Sequence, residues 1–294
     1  MLGEYLALLS ALAWATVGVV MAFLARSMDP FAIVAVRLLL GSLFLSPILL
    51  VMAIGGGLGT LPVGAVALLV ASGVVSLGIG DSLYVASLPH IGVSRAHPIS
   101  ITLFPLFTFI VAATWLGEVI TPSTLAGSAL IIVGVILVVL SGKAKLRHPV
   151  PASHSSRGIL LVVVAAALWA AGFGFLKLAV FDVNPATAGY VRLLSGGLFL
   201  LGFMLFRKRP LRLQRRSGWQ WASLVWIGLM TAFSTGLLVV LAVKYAGAAK
   251  VSVLTSTSPL FALPLAFLFL GERINWRTGL GTALAITGTY LVLR

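Results

Sequence analysis

The chain has 294 residues, 60% of them hydrophobic and only 9% charged, whereas a soluble domain carries about a quarter charged residues. It therefore lacks the polar surface that water demands, and lipid is its main solvent. The net charge of +14 is concentrated in two short loops, 143–157 and 207–217, without interleaved aromatics, which excludes a nucleic-acid platform. The absence of Cys excludes disulfides, thiol catalysis and Cys-based metal sites.

A helix crosses a bilayer in about 20 apolar residues, and turn formers divide the chain into ten such spans. The first, Tyr5–Leu24, carries Glu4 at its front, has no basic leader and is read as a retained span, not a cleavable signal peptide. Trp14 lies near its mid-depth. The second, Phe31–Met52, follows the turn MDP and holds Arg37 six residues in, about 9 Å deep at helical rise. The third, Pro62–Tyr84, contains Asp81 in GIGDSLYVA, where Gly78 and Gly80 permit close helix approach. Val93–Leu116 is polar at its start, SRAHPIS, with His97. GEVITP, with Glu118, leads into Pro122–Leu140.

The remaining spans follow the same order. Gly158–Leu178 holds Trp169 and Lys177, Ala186–Phe206 holds Arg192, and Trp219–Leu241 is uncharged. Ala248–Leu270 opens with KVSVLTSTSP, bearing Lys250, Ser252, Thr255 and Ser256. GERINW, with Glu272, precedes Thr278–Leu293. The loops after odd-numbered spans hold most Lys and Arg, which by the positive-inside rule puts both termini outside.

The spans form an internal repeat. AVRLLLGSLFL (35–45) returns as YVRLLSGGLFL (190–200), with eight of eleven positions identical. At the same offset of 155, Trp14 matches Trp169 and Pro30 matches Pro185. At an offset of 154, Pro105-Leu106-Phe107 matches Pro259-Leu260-Phe261, Gly117-Glu118 matches Gly271-Glu272, and Gly127 and Gly134 match Gly281 and Gly288. So many aligned special residues are a strong repeat signal. Five spans is an odd number, so the second copy crosses the membrane in the opposite sense. Inverted repeats are characteristic of secondary transporters, whose substrate path lies between the halves. The expected fold is an all-α integral membrane protein of ten transmembrane helices in two inverted five-helix repeats, 1–142 and 157–294, joined by a basic linker, 143–156.

On these residues the chain resembles the drug/metabolite transporter superfamily, in particular ten-helix proteins with two EamA domains. The resemblance rests on Trp14 and Trp169, Arg37 and Arg192, the PLF…LGE ends of each fourth helix, and Gly127 and Gly281. It implies export or exchange of small metabolites, with amino-acid exporters, drug exporters and sugar-phosphate exchangers among the relatives. It also implies cytoplasmic termini, opposite to the orientation given by charge.

The polar residues inside the spans are the candidate site, because charges within lipid face a protein interior or a water-filled path. Arg37 and Arg192 suit gates or anion guides at the two ends of a central cavity, or structural roles as helix caps; the structural role is preferred. Glu118 and Glu272 are expected to cap the helix that follows each of them. Asp81 has no counterpart in the second half and is the proton-coupling candidate. Trp14, Tyr84, His97, Trp169, Lys177, Lys250, Ser252, Thr255 and Ser256 are expected to bind substrate, the hydroxyl cluster by lining a cavity where Pro259 breaks the helix.

Positive intramembrane charge favours a substrate bearing a carboxylate or phosphate. The leading function is alternating-access export or exchange of an amino acid or organic anion in a prokaryotic inner or plasma membrane. Proton-coupled export of cationic or hydrophobic drugs through Asp81 is the alternative. A flippase or intramembrane enzyme is a third class, but four scattered His residues give no catalytic cluster. No enzyme activity, metal, cofactor or nucleic acid is expected. The expected partners are a small-molecule substrate, membrane lipid and, as coupling ion, protons; no Walker A motif supports ATP drive.

Overall fold

The computed structural model describes residues 1–24, 28–57, 59, 61–91, 93–141, 155–208, 217–261 and 276–293. All regular structure among them is helical. In chain order the first half comprises α1 (Leu2–Leu24), α2 (Pro30–Ile54), α3 (Val63–Ser72) running through a π-helical segment π1 (Gly73–Gly80) into α4 (Asp81–Ile91), then α5 (Val93–Trp115) and α6 (Pro122–Ser141). The second half comprises α7 (Ser155–Ala179), α8 (Pro185–Phe206), α9 (Gly218–Thr231) with π2 (Ala232–Leu238) and α10 (Val239–Ala246), then α11 (Ala248–Thr255) and α12 (Trp276–Leu293).

Local chemistry explains the matched helix starts. Asp29 caps α2, accepting from the amides of Phe31 at 2.8 Å and Ala32 at 3.3 Å, with Pro30 at the first helical position. Asn184 caps α8 in the same way, accepting from Ala186 at 2.9 Å ahead of Pro185. Asx caps satisfy otherwise orphaned amides, and Pro there has no amide to waste. The third span of each half carries the π segment, so both halves interrupt the same helix with i→i+5 hydrogen bonding, a feature concentrated at functional sites.

Among the described residues six helical stretches are long and apolar enough to cross a membrane: Pro30–Ile54, Val63–Leu88, Ala96–Trp115, Ser156–Ala179, Pro185–Phe206 and Gly218–Ala246. Leu2–Gly18, Pro122–Val138 and Gly279–Leu293 are apolar but shorter. The expected ninth span, Ala248–Leu270, is helical over α11 and turns at Ser256 and Thr257; residues 262–270 lie outside the described residues.

The two halves do not form separate globules. α1 packs on α9, α10 and α11 of the second half, while α7 packs on α3, π1, α4 and α5 of the first. One core cluster joins Leu69, Ile101 and Ile131 to Leu176, Val240 and Val251, and another joins Ala35 and Leu38 to Leu193 and Leu200. Glycines set the closest approaches. A Cβ on Gly127 would meet the backbone of Gly288, and one on Gly134 that of Gly281, so α6 and α12 run antiparallel with their backbones in contact. Gly41 lies against Leu193 and Gly197 against Leu39, so α2 and α8 are antiparallel too. Small residues permit this in lipid, where dispersion between close helices replaces the hydrophobic effect as the driving force.

Candidate functional site

Arg37 sits on the buried face of α2, only 1% exposed. Its Nη2 donates to Asp81 Oδ2 on α4, and its guanidinium lies over the Trp14 ring of α1, 4.9 Å from the centroid. The second oxygen, Asp81 Oδ1, accepts from Trp169 Nε1 on α7 at 2.8 Å. A Cβ on Gly80 would lie 2.8 Å from Trp169 Cδ1, so the glycine before Asp81 is what lets the indole reach the carboxylate. Four elements, α1, α2, α4 and α7, thus meet around the Arg37–Asp81 pair.

An aromatic wall continues from Trp169. Tyr84 stands 5.5 Å away and Phe104 6.0 Å away, centroid to centroid, and Phe104 meets Phe173 edge-on at 5.0 Å. The Tyr84 hydroxyl lies 3.5 Å from His97 Nδ1 on α5. Trp14, Tyr84, His97, Phe104 and Trp169 all remain partly accessible, unlike the arginines.

Arg192 on α8 is equally buried. Its Nε donates to Ser72 Oγ at 2.9 Å, and that hydroxyl donates to the Gly172 carbonyl at 2.6 Å. The pocket for Arg192 is made by glycines: a Cβ on Gly73 would collide with the Arg192 carbonyl, and one on Gly172 with Ser76. Among the described residues Arg37 Nε, Arg37 Nη1 and Arg192 Nη1 are buried without an acceptor. Arg37 is thus paired with a carboxylate and Arg192 with a hydroxyl, and three of their guanidinium nitrogens have no acceptor. Buried charged donors are costly to leave unmade.

A second cluster lies two turns further along α7. Lys177 follows Trp169 by eight residues, about 12 Å along the helix. Its Nζ donates to the Val243 carbonyl at 3.1 Å and stands 3.9 Å from Glu118 Oε1. Glu118 accepts from the amides of Ala248 at 2.8 Å and Ala249 at 3.1 Å. Lys250 lies 3.5 Å from Glu4, which also pairs with the N-terminal ammonium at 2.9 Å. Glu118, Thr124, Lys177, Tyr245, Gly247 and Lys250 help line an open cavity of about 270 Å³. Glu118 is a cap, as its acidic character implies, but not of the helix that follows it. It caps α11 in the other half. Gly247, at φ +83°, makes the turn that aims the α11 amides at it, a conformation that side-chain-bearing residues rarely adopt. Replacing Glu118 with alanine should lower thermal stability in detergent by about 1–2 kcal/mol, the range for a lost N-cap, and Glu118→Gln should cost less because its carbonyl still accepts one amide.

A model of the EamA-like transporter family matches residues 1–140 and again 156–294. The chain belongs to the EamA-like transporter family. It is 29% identical over 225 residues to an uncharacterized transporter of Archaeoglobus fulgidus, covering 76% of this chain and 75% of that protein. A second uncharacterized transporter of the same organism is 26% identical over 220 residues, covering 75% and 72%. One crystal structure shares the fold at a TM-score of 0.79 and 16% identity, covering 98% of this chain and 94% of the other. Family membership and the apolar helices together make this a multi-pass integral membrane transporter.

In this EamA-like transporter the expected site residues divide into the two clusters. Trp14, Arg37, Asp81, Tyr84, His97 and Trp169 form one connected cluster about the buried carboxylate, and Arg192 is held by Ser72. Lys177 and Lys250 belong to the cavity with Glu118. Of the arginines, read as gates or, by preference, as structural, Arg37 pairs with Asp81 and Arg192 donates to Ser72. Ser252, Thr255 and Ser256 do not line the described cavity. Each hydroxyl donates to a carbonyl of its own helix, Ala249, Val251 and Ser252 respectively, the back-bonding that hydroxyl-rich helices commonly make. Glu272 lies outside the described residues. Sequence reading missed Ser72, Phe104 and both π segments. The four-residue spacing of Ser72 and Ser76, on the glycine-bearing face of the third span, was the available signal for the first of these.

Proposed function

We propose that this EamA-like transporter exports or exchanges a small polar metabolite bearing a carboxylate or phosphate, with amino acids and organic anions first. Transport proceeds by alternating access across ten spans, arranged as two inverted repeats, 1–142 and 157–294, joined by the linker 143–156. The observation that carries the reading is the two buried arginines, Arg37 and Arg192, which between them keep three guanidinium nitrogens without an acceptor. Arginine forks match carboxylate and phosphate oxygens. Trp14, Tyr84 and Trp169 supply apolar faces for the rest of the substrate, and His97 a polar contact beside Tyr84. Lys177 and Lys250 raise the local anion concentration at the cavity.

The antiparallel pairings of α6 with α12 and of α2 with α8 support the inverted arrangement. The cross-packing of α1 and α7 gives a form for the motion: α1 with α9–α11 tilting against α7 with α3–α5. Counterflow in proteoliposomes tests the reading, using labelled glutamate, leucine, succinate, glucose 6-phosphate and the cation ethidium. Exchange of at least one of the first four, reduced at least ten-fold by Arg192→Gln, is expected. Transport of ethidium alone would overturn it.

A further inference from the structure

Asp81 holds Arg37 in the same way that a carboxylate substrate would. It is the one acidic side chain among the described residues that contacts either arginine, and it retains 12% side-chain exposure where Arg37 retains 1%. The carboxylate is thus the partner on the accessible side of the pair, and the arginine is the fixed one, clamped by the Trp14 ring. We propose that Asp81 is a built-in stand-in for substrate, displaced from Arg37 when an anion binds and taking up one proton as it leaves. This rests on the anion-transport reading above.

The chemistry follows from what a buried carboxylate tolerates. Paired with Arg37, it is a satisfied anion. A substrate carboxylate or phosphate that takes Arg37 Nη2, together with the unaccepted Nε and Nη1, leaves Asp81 with Trp169 Nε1 as its remaining donor. An unpaired charge in an apolar interior is neutralised instead of tolerated. Asp81 then binds a proton from the water on the loading side, forming one O–H bond at a carboxyl oxygen. No other bond changes. When the anion departs, Arg37 recovers Asp81 and the proton returns to water. Each loaded carrier therefore moves one anion charge and one proton together, and the empty carrier crosses as a neutral ion pair. An anion carrier acquires proton coupling without a separate proton path.

Other groups face Asp81 and must be distinguished. Arg192 on α8 remains charged throughout, since guanidinium does not deprotonate in proteins. Tyr84 lies on Asp81's own helix, and His97 on α5 sits behind the Tyr84 hydroxyl. Trp169 on α7 is a donor without charge, and Lys177 lies two turns away beside Glu118. His97 is thus the competing proton acceptor.

The test uses the full chain purified in detergent. Glutamate, succinate and glucose 6-phosphate are added separately, with binding followed by calorimetry and proton uptake by pyranine absorbance in weak buffer. The expected result is about one proton taken up per anion bound, with Kd rising about ten-fold per pH unit. Asp81→Asn should bind the same anion about ten-fold more tightly, a gain of about 1.4 kcal/mol, because Arg37 is no longer occupied, with neither proton uptake nor pH dependence. Binding by wild type without proton uptake would overturn the proposal while leaving the anion reading intact. Failure of all three anions to bind, with no exchange of leucine in proteoliposomes, would remove both. Proton uptake that survives in Asp81→Asn and vanishes in His97→Gln assigns the proton to His97 and overturns the proposal. Because the stoichiometry is measured on wild type, a poorly folding variant does not shield it.

Discussion

Asp81→Leu is expected to destabilise the transporter by about 3–5 kcal/mol, because it leaves the Arg37 guanidinium buried without its counter-charge. That loss should be constant over the pH range in which Asp81 stays ionised in wild type, since arginine cannot shed its proton, and should shrink in acid where wild type loses the carboxylate charge too. Arg37→Met is expected to cost as much at alkaline pH and less under acidic conditions, where a proton can neutralise the abandoned carboxylate. The double variant Arg37→Met/Asp81→Leu should recover most of the stability of either single change and lose anion binding. Breaking a buried pair exposes an uncompensated charge, whereas replacing both partners by apolar groups does not. Thermal unfolding of all three variants in detergent across pH, with the double-mutant cycle completed, is the measurement. A double variant no more stable than Asp81→Leu alone would show that the pair is not the origin of the loss.

Gly189→Ala is expected to be the most disruptive single methyl addition in α8. A Cβ there would collide with the carbonyl of Gly236 in π2, and neither side of that contact is a flexible side chain. Overpacking typically costs about 1–3 kcal/mol and occasionally more, and a backbone-on-backbone clash belongs at the upper end. Gly202→Ala on the same helix meets nothing within 4 Å and should be neutral or gain up to about 1 kcal/mol from helix propensity. Comparing the melting temperatures of the pair separates the steric effect from any general intolerance of α8 to alanine. Equal melting temperatures would remove the close approach of α8 and π2 as a stability determinant.

Much of the architecture was legible because lipid simplifies the code. Long apolar runs between turn formers located the helices, and Asp29-Pro30 and Asn184-Pro185 marked two starts through their own hydrogen bonding. The repeat made Arg37 and Arg192 stand out, and Asp81, unmatched in the second half, is the residue that joins Arg37 on α2 to Trp169 on α7. What stayed hidden depends on helix-to-helix placement. Nothing in the spacing of Glu118 reveals that its carboxylate reaches α11, some 130 residues later, because a cap is recognised in sequence by its neighbours in the chain. Ser252, Thr255 and Ser256 looked like a cavity lining because hydroxyls are polar, but a hydroxyl on a helix has a carbonyl three or four residues back within reach. The π segments had no clear signature, since one extra residue per turn leaves hydropathy unchanged.

The exchange of partners between the halves also bears on biosynthesis. α1 is made first, yet its neighbours α9, α10 and α11 are synthesised only after residue 217. Trp169 reaches Asp81, Arg192 reaches Ser72, and the α11 amides reach Glu118 across the same divide. Until the second half has been inserted, the first holds glycine-lined grooves and polar groups awaiting distant partners, and such long sequence separations slow assembly. The helices of the first half must therefore wait in the bilayer as a loosely associated set, and the folded carrier is completed late, as the last helices arrive. A chain stalled between the two halves has no finished half to fall back on, which makes its unfinished form a natural target for membrane quality control.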